Sequence, residues 1–342
     1  MYNLFHLVAY IFLAASCLLQ AGTSSAAPDS ATYDWLFKEK LRKFKILESN
    51  LSKPLINRIR TESDWMLESV IEFDRSIGIE DPDYKVQVPS DEDLAMFSEY
   101  IKVLPQSYRK VFSEKLLAVY FFDNFTGAAL TDWLIDGDGK FYYYIIINSA
   151  LLRESMDDWL SYRENSYFQS GSGFSIKIHT GTRYKALMYG FLHEGGHIID
   201  IEYHVTPFID TPHKQFIRQV AEVSEFTRDV WLKQTTPAAQ YDFKLREKLN
   251  PYAMYSKNEL IQGNEMPGIF SRLTKSPFVS IYSTVGWHED FADMMTYSHI
   301  EKNLGGSIRM RLYKREEIIN EYFPAKQNSN NTRARIINEF ID

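Results

Sequence analysis

The chain has 342 residues, 45% hydrophobic and 24% charged, an ordinary composition for a folded protein with a sizeable core, which excludes disorder over most of its length. Its net charge of −7 and pI near 5.7 exclude the basic footprint of a nucleic-acid binder. The length accommodates one large domain or two modest ones.

The first 27 residues contain no Asp, Glu, Lys or Arg, and Leu7–Leu19 is almost wholly apolar. Such a run is too short to span a bilayer comfortably and matches a signal-peptide core. The small residues Thr23, Ser24, Ser25, Ala26 and Ala27 follow as a cleavage region. Residues 1–27 therefore read as a signal peptide and the protein as exported, secreted or periplasmic. Pro28 hinders a cut directly before it, so processing is expected after Ala26. Cys17 is the only cysteine. It is either an incidental residue of the signal core or a lipid-attachment cysteine, since Leu13-Ala14-Ala15-Ser16-Cys17 loosely resembles a bacterial lipobox. A lipid there would be the one expected tie to a membrane. The mature chain then has no disulfide and no thiolate, so any metal site must use His, Asp and Glu.

Residues 28–115 read as a helical N-terminal region. Met66, Val70, Ile71 and Ile77 share one helical face. Ser90 with Asp93 predicts a capping-box start, Leu94, Phe97, Ile101 and Leu104 repeat at helical spacing, and Pro105 ends the run. These positions read as core. Strand signals begin at Leu116. Leu117–Phe122 is apolar and aromatic. Leu130–Ile135 and Phe141–Ile147 flank Asp136-Gly137-Asp138-Gly139, which predicts a β-hairpin. Tyr142, Tyr143 and Tyr144 fit a half-buried strand better than a binding platform. Phe174–His179 alternates like a strand with one wet face. Thr182–Tyr203 reads as a helix, and Phe216, Val220, Val223 and Val230 mark another. Loop signals fill Lys233–Pro277. A further helix is expected from Ser283 or Thr284 to His299, and the Asn-rich stretch Lys326–Thr332 is expected at the surface. Helices, then strands, then helices give an α+β protein.

The predicted helix 182–203 contains His193-Glu194-Gly195-Gly196-His197. Two histidines four apart lie about 40° from each other around a helix, one turn along, so both imidazoles can reach one metal ion. Glu194 projects beside them and can take the proton of a metal-activated water, the constellation of a metalloprotease. The flanks Phe191, Leu192, Ile198 and Ile199 are apolar, as a buried active-site helix requires. Gly195 and Gly196 together weaken a helix by about 1–2 kcal/mol relative to alanine. Keeping them implies that something packs closely against that helix.

The segment resembles the active-site helix of the zincin metallopeptidases. In metzincins a third histidine stands six places after the second; here that place is Tyr203, with His204 one beyond, so that pattern fails. The gluzincin pattern fits better. It takes a glutamate from a downstream helix, followed four residues later by an acid, and this chain has Trp287-His288-Glu289-Asp290-Phe291-Ala292-Asp293. The resemblance implies Zn²⁺ held by His193, His197 and Glu289, with Asp293 supporting a liganding histidine through its far nitrogen. Tyr282 lies seven residues before Glu289. Proteases of the anthrax lethal factor type place a tyrosine at that offset, which implies that its hydroxyl assists the oxyanion or the departing amine. The resemblance spans roughly Phe174 to His299. It implies a zincin-like catalytic domain over 116–342, with an active-site helix over a small mixed sheet, preceded by the helical portion 28–115.

Among the other histidines, His288 is the rival third ligand. His179, His204 and His213 read as surface or loop residues, and His299 lies too far along its helix. Asp200 shares a face with His193 and is either a support for it or a surface acid. No nucleophile elbow, P-loop or dinucleotide fingerprint stands out. Three functions remain. One is an exported zinc endopeptidase acting on a protein or peptide, with Glu194 as general base. The second is a catalytically inactive zincin-like binding or lipoprotein module. The third is a metal-dependent hydrolase of non-peptide substrates. The presence of Glu194 favours the first, because a structural metal site needs no base and closes with four ligands.

Overall fold

The computed structural model describes residues 30–61, 64–76, 83–207, 224–249, 260–324 and 331–342. The signal segment with Cys17, and the expectations for Ile77, His213 and the stretch Phe216–Val223, lie outside these residues. The described chain is a mixed α+β protein with small sheets and divides into two compact units. One takes its residues from 30–102 and 109–149, the other from 103–108, 150–207 and 221–342.

In the first unit, helices α1 (Ser30–Leu47) and α2 (Asp64–Ser76) precede strand β1 (Lys85–Gln87) and helix α3 (Asp91–Lys102). Helix α4 (Gln106–Lys115) leads into β2 (Leu116–Asp123), β3 (Ala129–Ile135) and β4 (Phe141–Asn148). The strands form one sheet in the order β1-β2-β4-β3, in which only the β2–β4 pair is parallel. Strand β2 is buried from Leu116 to Phe122, as a central strand covered on both faces must be, and this explains its unbroken apolar run. Phe44, Leu47, Met66 and Val70 from the helices pack with Leu117, Tyr120, Phe122 and Tyr144 of the sheet. The capping box forms as expected: Ser90 Oγ accepts from Asp93 N at 3.2 Å and Asp93 Oδ2 accepts from Ser90 N at 3.0 Å. The hairpin forms too. Asp136 Oδ1 accepts from the backbone of Asp138 and Lys140, both at 2.9 Å, and Gly139 takes a φ of +81° that favours glycine. Strand β1 was not legible within the helical region, because three residues carry no period and are ordered only by pairing with β2.

The second unit holds helix α5 (Met156–Asn165), strand β5 (Phe174–His179) and helix α6 (Ala186–Tyr203). The short ribbon β6 (Trp231–Lys233) and β7 (Thr236–Pro237) follows. Then come helix α7 (Met266–Leu273), a 3-10 turn over Tyr282–Thr284 and helix α8 (Trp287–Asn303). The hairpin β8 (Arg309–Lys314) and β9 (Glu317–Tyr322) precedes helix α9 (Thr332–Ile341). Its sheet is antiparallel, in the order β5-β8-β9. Strand β5 has the expected wet face, with Ile176 and Ile178 buried and Lys177 exposed.

Several boundaries differ from expectation. Helix α6 starts at Ala186, not Thr182. Gly181 turns at φ +68°, Thr180 O accepts from Ser307 N at 2.8 Å, and Ala186 N donates to Glu154 O at 3.0 Å, so the preceding residues are held as a loop. Helix α8 begins at Trp287, after the 3-10 turn. The described end of the expected helix before Val230 is a turn, in which Ser224 Oγ accepts from Thr227 N and Arg228 N donates to Ser224 O. Among the described residues no helix is long and apolar enough to cross a membrane.

Candidate metal centre

The second unit brings the predicted residues together by packing α6 against α8. Helix α6 is buried on every side from Ala186 to Asp200, which accounts for its apolar flanks. The close approach inferred from the glycines is found at Gly196. A Cβ there would stand 2.9 Å from Ala292 Cα and 3.2 Å from Ala292 Cβ on α8.

At this crossing, the nitrogens of His193 and His197 and a carboxylate oxygen of Glu289 lie within 4.8 Å of one another, all on buried residues. His193 Nε2 is 2.9 Å and His197 Nε2 3.5 Å from Glu289 Oε2. Ligands at about 2.0–2.2 Å from one tetrahedral ion stand roughly 3.3–3.6 Å apart, close to the two separations found here, so the three groups could hold one metal ion. His193 Nδ1 is 3.0 Å from Asp293 Oδ1. With Asp293 ionised, that contact calls for a proton on Nδ1, and it leaves Nε2 facing Glu289.

Asp293 is fully buried and richly partnered. Tyr189 Oη donates to Oδ1 at 2.8 Å, Ser280 Oγ to Oδ2 at 2.5 Å, and Arg163 Nη1 to Oδ1 at 3.1 Å. Burial alone would raise its carboxyl, but the Arg163 charge and the His193 bond outweigh burial and hold it far below the ordinary range. Glu289 behaves alike: burial opposes its charge, and His197 and His193 overcome that and hold it well down. Burial works against the His193 cation, yet its bonds to Asp293 and Glu289 push it up to about 10 in the metal-free protein.

Glu194 is buried beside His193 on α6. Tyr282, half-buried on the 3-10 turn, places its ring centroid 5.7 Å from that of His193. His288 also faces the site. Its Nε2 is 3.5 Å from Glu289 Oε1, on the oxygen turned away from His193 and His197, and its ring lies 5.8 Å from that of His197. It is not one of the three that share a common point. Burial lowers it to about 4.

The remaining candidates fall elsewhere. Asp200 does not support His193: both its oxygens are taken by Thr206, at 2.6 Å from N and 2.6 Å from Oγ1, and they close the end of α6. His204 is the left-handed cap of that helix, with φ 52°. His299 is spent on Val103 O and Asn303. His179 is half-exposed beside Asp157. Four residues of the centre are not predicted from the sequence. Tyr189 had a signal, since it precedes His193 by one turn of the same helix. Arg163, Glu164 and Ser280 had none, because only the tertiary fold brings them in. Comparison with protein-family models, with curated proteins and with solved structures found no match in any of the three.

Proposed function

We propose that the chain is an exported zinc metallopeptidase that hydrolyses peptide bonds in a protein or peptide substrate. One observation carries the reading: His193, His197 and Glu289 converge beside Glu194, with Asp293 behind His193. A zinc ion bound there would polarise the substrate carbonyl and lower the pKa of water. The chain's own residues supply the rest. Glu194 accepts the proton of the attacking water and passes it to the departing amine. Tyr282 donates its hydroxyl hydrogen toward the oxyanion that develops on the carbonyl. Asp293 keeps His193 in one tautomer and one orientation. Residues 1–27 serve export, and Cys17, if lipidated, would anchor the protein.

The test is zinc analysis of protein purified without chelator, together with digestion of a random peptide library by wild type and by Glu194→Gln. About one zinc per chain is expected in both, from a three-ligand site. Cleavage should fall by at least about 10²-fold in the variant, as for other general bases. A wild type that neither carries nor takes up zinc would refute the reading. A zinc-loaded wild type that cleaves no peptide would favour the inactive module.

A further inference from the structure

Behind the site, two consecutive charged residues at the end of α5 are almost wholly buried: Arg163 is 4% exposed and Glu164 0%. Each is fully engaged. Arg163 Nε and Nη2 donate to Glu164 Oε1 at 3.0 and 2.7 Å. Its Nη1 donates to Asp293 Oδ1 at 3.1 Å and to Tyr189 Oη, and Nη2 donates to Tyr297 Oη at 3.2 Å. Glu164 Oε2 accepts from the backbone N of Ile281 at 2.7 Å, immediately before Tyr282. The Arg163 guanidinium carbon lies 4.8 Å from the centroid of the Tyr282 ring.

The pair therefore touches both halves of the centre. On one side Arg163 fixes Asp293, which fixes His193. On the other, Glu164 holds the backbone of the turn that carries Tyr282, while Arg163 lies against the Tyr282 ring. Ser280, one residue before Ile281, donates to Asp293 and closes the loop of contacts. Stability alone does not call for this arrangement, since apolar residues of similar volume commonly replace buried ion pairs without loss. Arginine's planar fork addresses several fixed acceptors at once, which is what positioning requires.

We propose that Arg163 and Glu164 form one positioning unit that sets the ligand His193, through Asp293, and the Tyr282 turn in a single geometry. The proposal rests on the metallopeptidase reading for the roles of His193 and Tyr282, but its test does not. The double substitution R163M/E164Q removes the ion pair without changing the net buried charge. Competitive zinc titration of the folded variant should show about 10–100-fold weaker binding, the range for loss of groups that orient a ligand. In an Asp293→Ala background the same two changes should cost less than about twofold, because the route to His193 is already cut. In metal-free protein labelled with ¹⁵N-histidine, the His193 Nδ1 proton should exchange with water at least about tenfold faster in the variant. R163K, which keeps the charge but not the fork, should lose less than the double variant on both measures.

Wild-type zinc affinity together with wild-type His193 exchange in R163M/E164Q would overturn the proposal. Equal zinc losses with and without Asp293 would also overturn it, by reducing the pair to general scaffolding. Should wild type take up no zinc, the metallopeptidase reading falls, and the exchange rate of the His193 proton still decides the positioning role.

Discussion

The contact between Gly196 and Ala292 allows a sharp test of the α6–α8 crossing. In Gly196→Ala the new methyl carbon would meet a backbone carbon at 2.9 Å. Comfortable carbon contacts start near 3.5 Å, so the helices must part by about 0.6 Å. Alanine's better helix propensity contributes about 1 kcal/mol. Overpacking costs about 1–3 kcal/mol. The net effect on stability is thus a loss of roughly 0–2 kcal/mol, small enough to leave the protein folded. The effect on the centre is larger in proportion. His197 is the next residue on α6, and Glu289 lies one turn before Ala292 on α8. A shift of about 0.6 Å exceeds the roughly 0.2 Å latitude of metal–ligand distances. Zinc affinity should fall at least about tenfold, as it does when ligand orientation is disturbed, while Tm changes by only a few degrees. Competitive chelator titration and thermal unfolding of the same preparation read the two effects. A Gly196→Ala protein with raised Tm and unchanged zinc affinity would refute the close crossing and the argument built on it.

Glu289→Ala should abolish tight zinc binding, whereas His288→Ala should leave it within a few-fold, because His288 faces the other carboxylate oxygen; the opposite order in a zinc titration would make the centre a three-histidine one. Tyr282→Phe should keep its zinc and lower kcat by about 10²-fold, the scale for loss of one oxyanion donor; unchanged turnover would remove Tyr282 from the chemistry. Asp74, buried with its carboxylate accepting from Tyr84 Oη, is pushed up to about 6, chiefly by burial. A raised acid favours the fold below the unfolded pKa of about 4, and that contribution fades as pH rises through about 6, by an amount on the order of 2–3 kcal/mol. Asp74→Asn should therefore gain stability relative to wild type between pH 4 and 7 in urea titrations, and parallel curves would contradict this.

The parts of the centre legible in the sequence are those written locally. His193, Glu194 and His197 sit within five residues, and a single helix dictates their spacing. Glu289 and Asp293 stand one turn apart on α8, so the candidate ligand and the acid behind His193 share a face. What is tertiary was not legible. Arg163 meets Asp293 across 130 positions, and nothing in its neighbourhood distinguishes it from a solvated arginine. The same division holds for the fold. The hairpin at Asp136 and the cap at Ser90 declare themselves by turn chemistry. The β8–β9 hairpin is not evident from the sequence, although Met310 and Leu312 alternate inward, because six residues between charged neighbours give a weak period. The sequence predicts α6 from Thr182 because Thr182–Lys185 carries no breaker; the loop there is imposed by contacts with Glu154 and Ser307.

Helix α8 holds three acids, each against its own set of partners. Glu289 points to the histidines, Asp290 to Trp231 Nε1 at 2.8 Å and to Arg333 of α9, and Asp293 to Arg163 and Ser280. With His288 to Tyr297 buried throughout, the helix cannot roll about its axis in either direction without stripping a carboxylate of its partner. Glu289 is consequently presented by a clamped rod and not by a swinging arm. An ion captured there would find its carboxylate already aimed, so that little ordering of Glu289 would be left for binding to do.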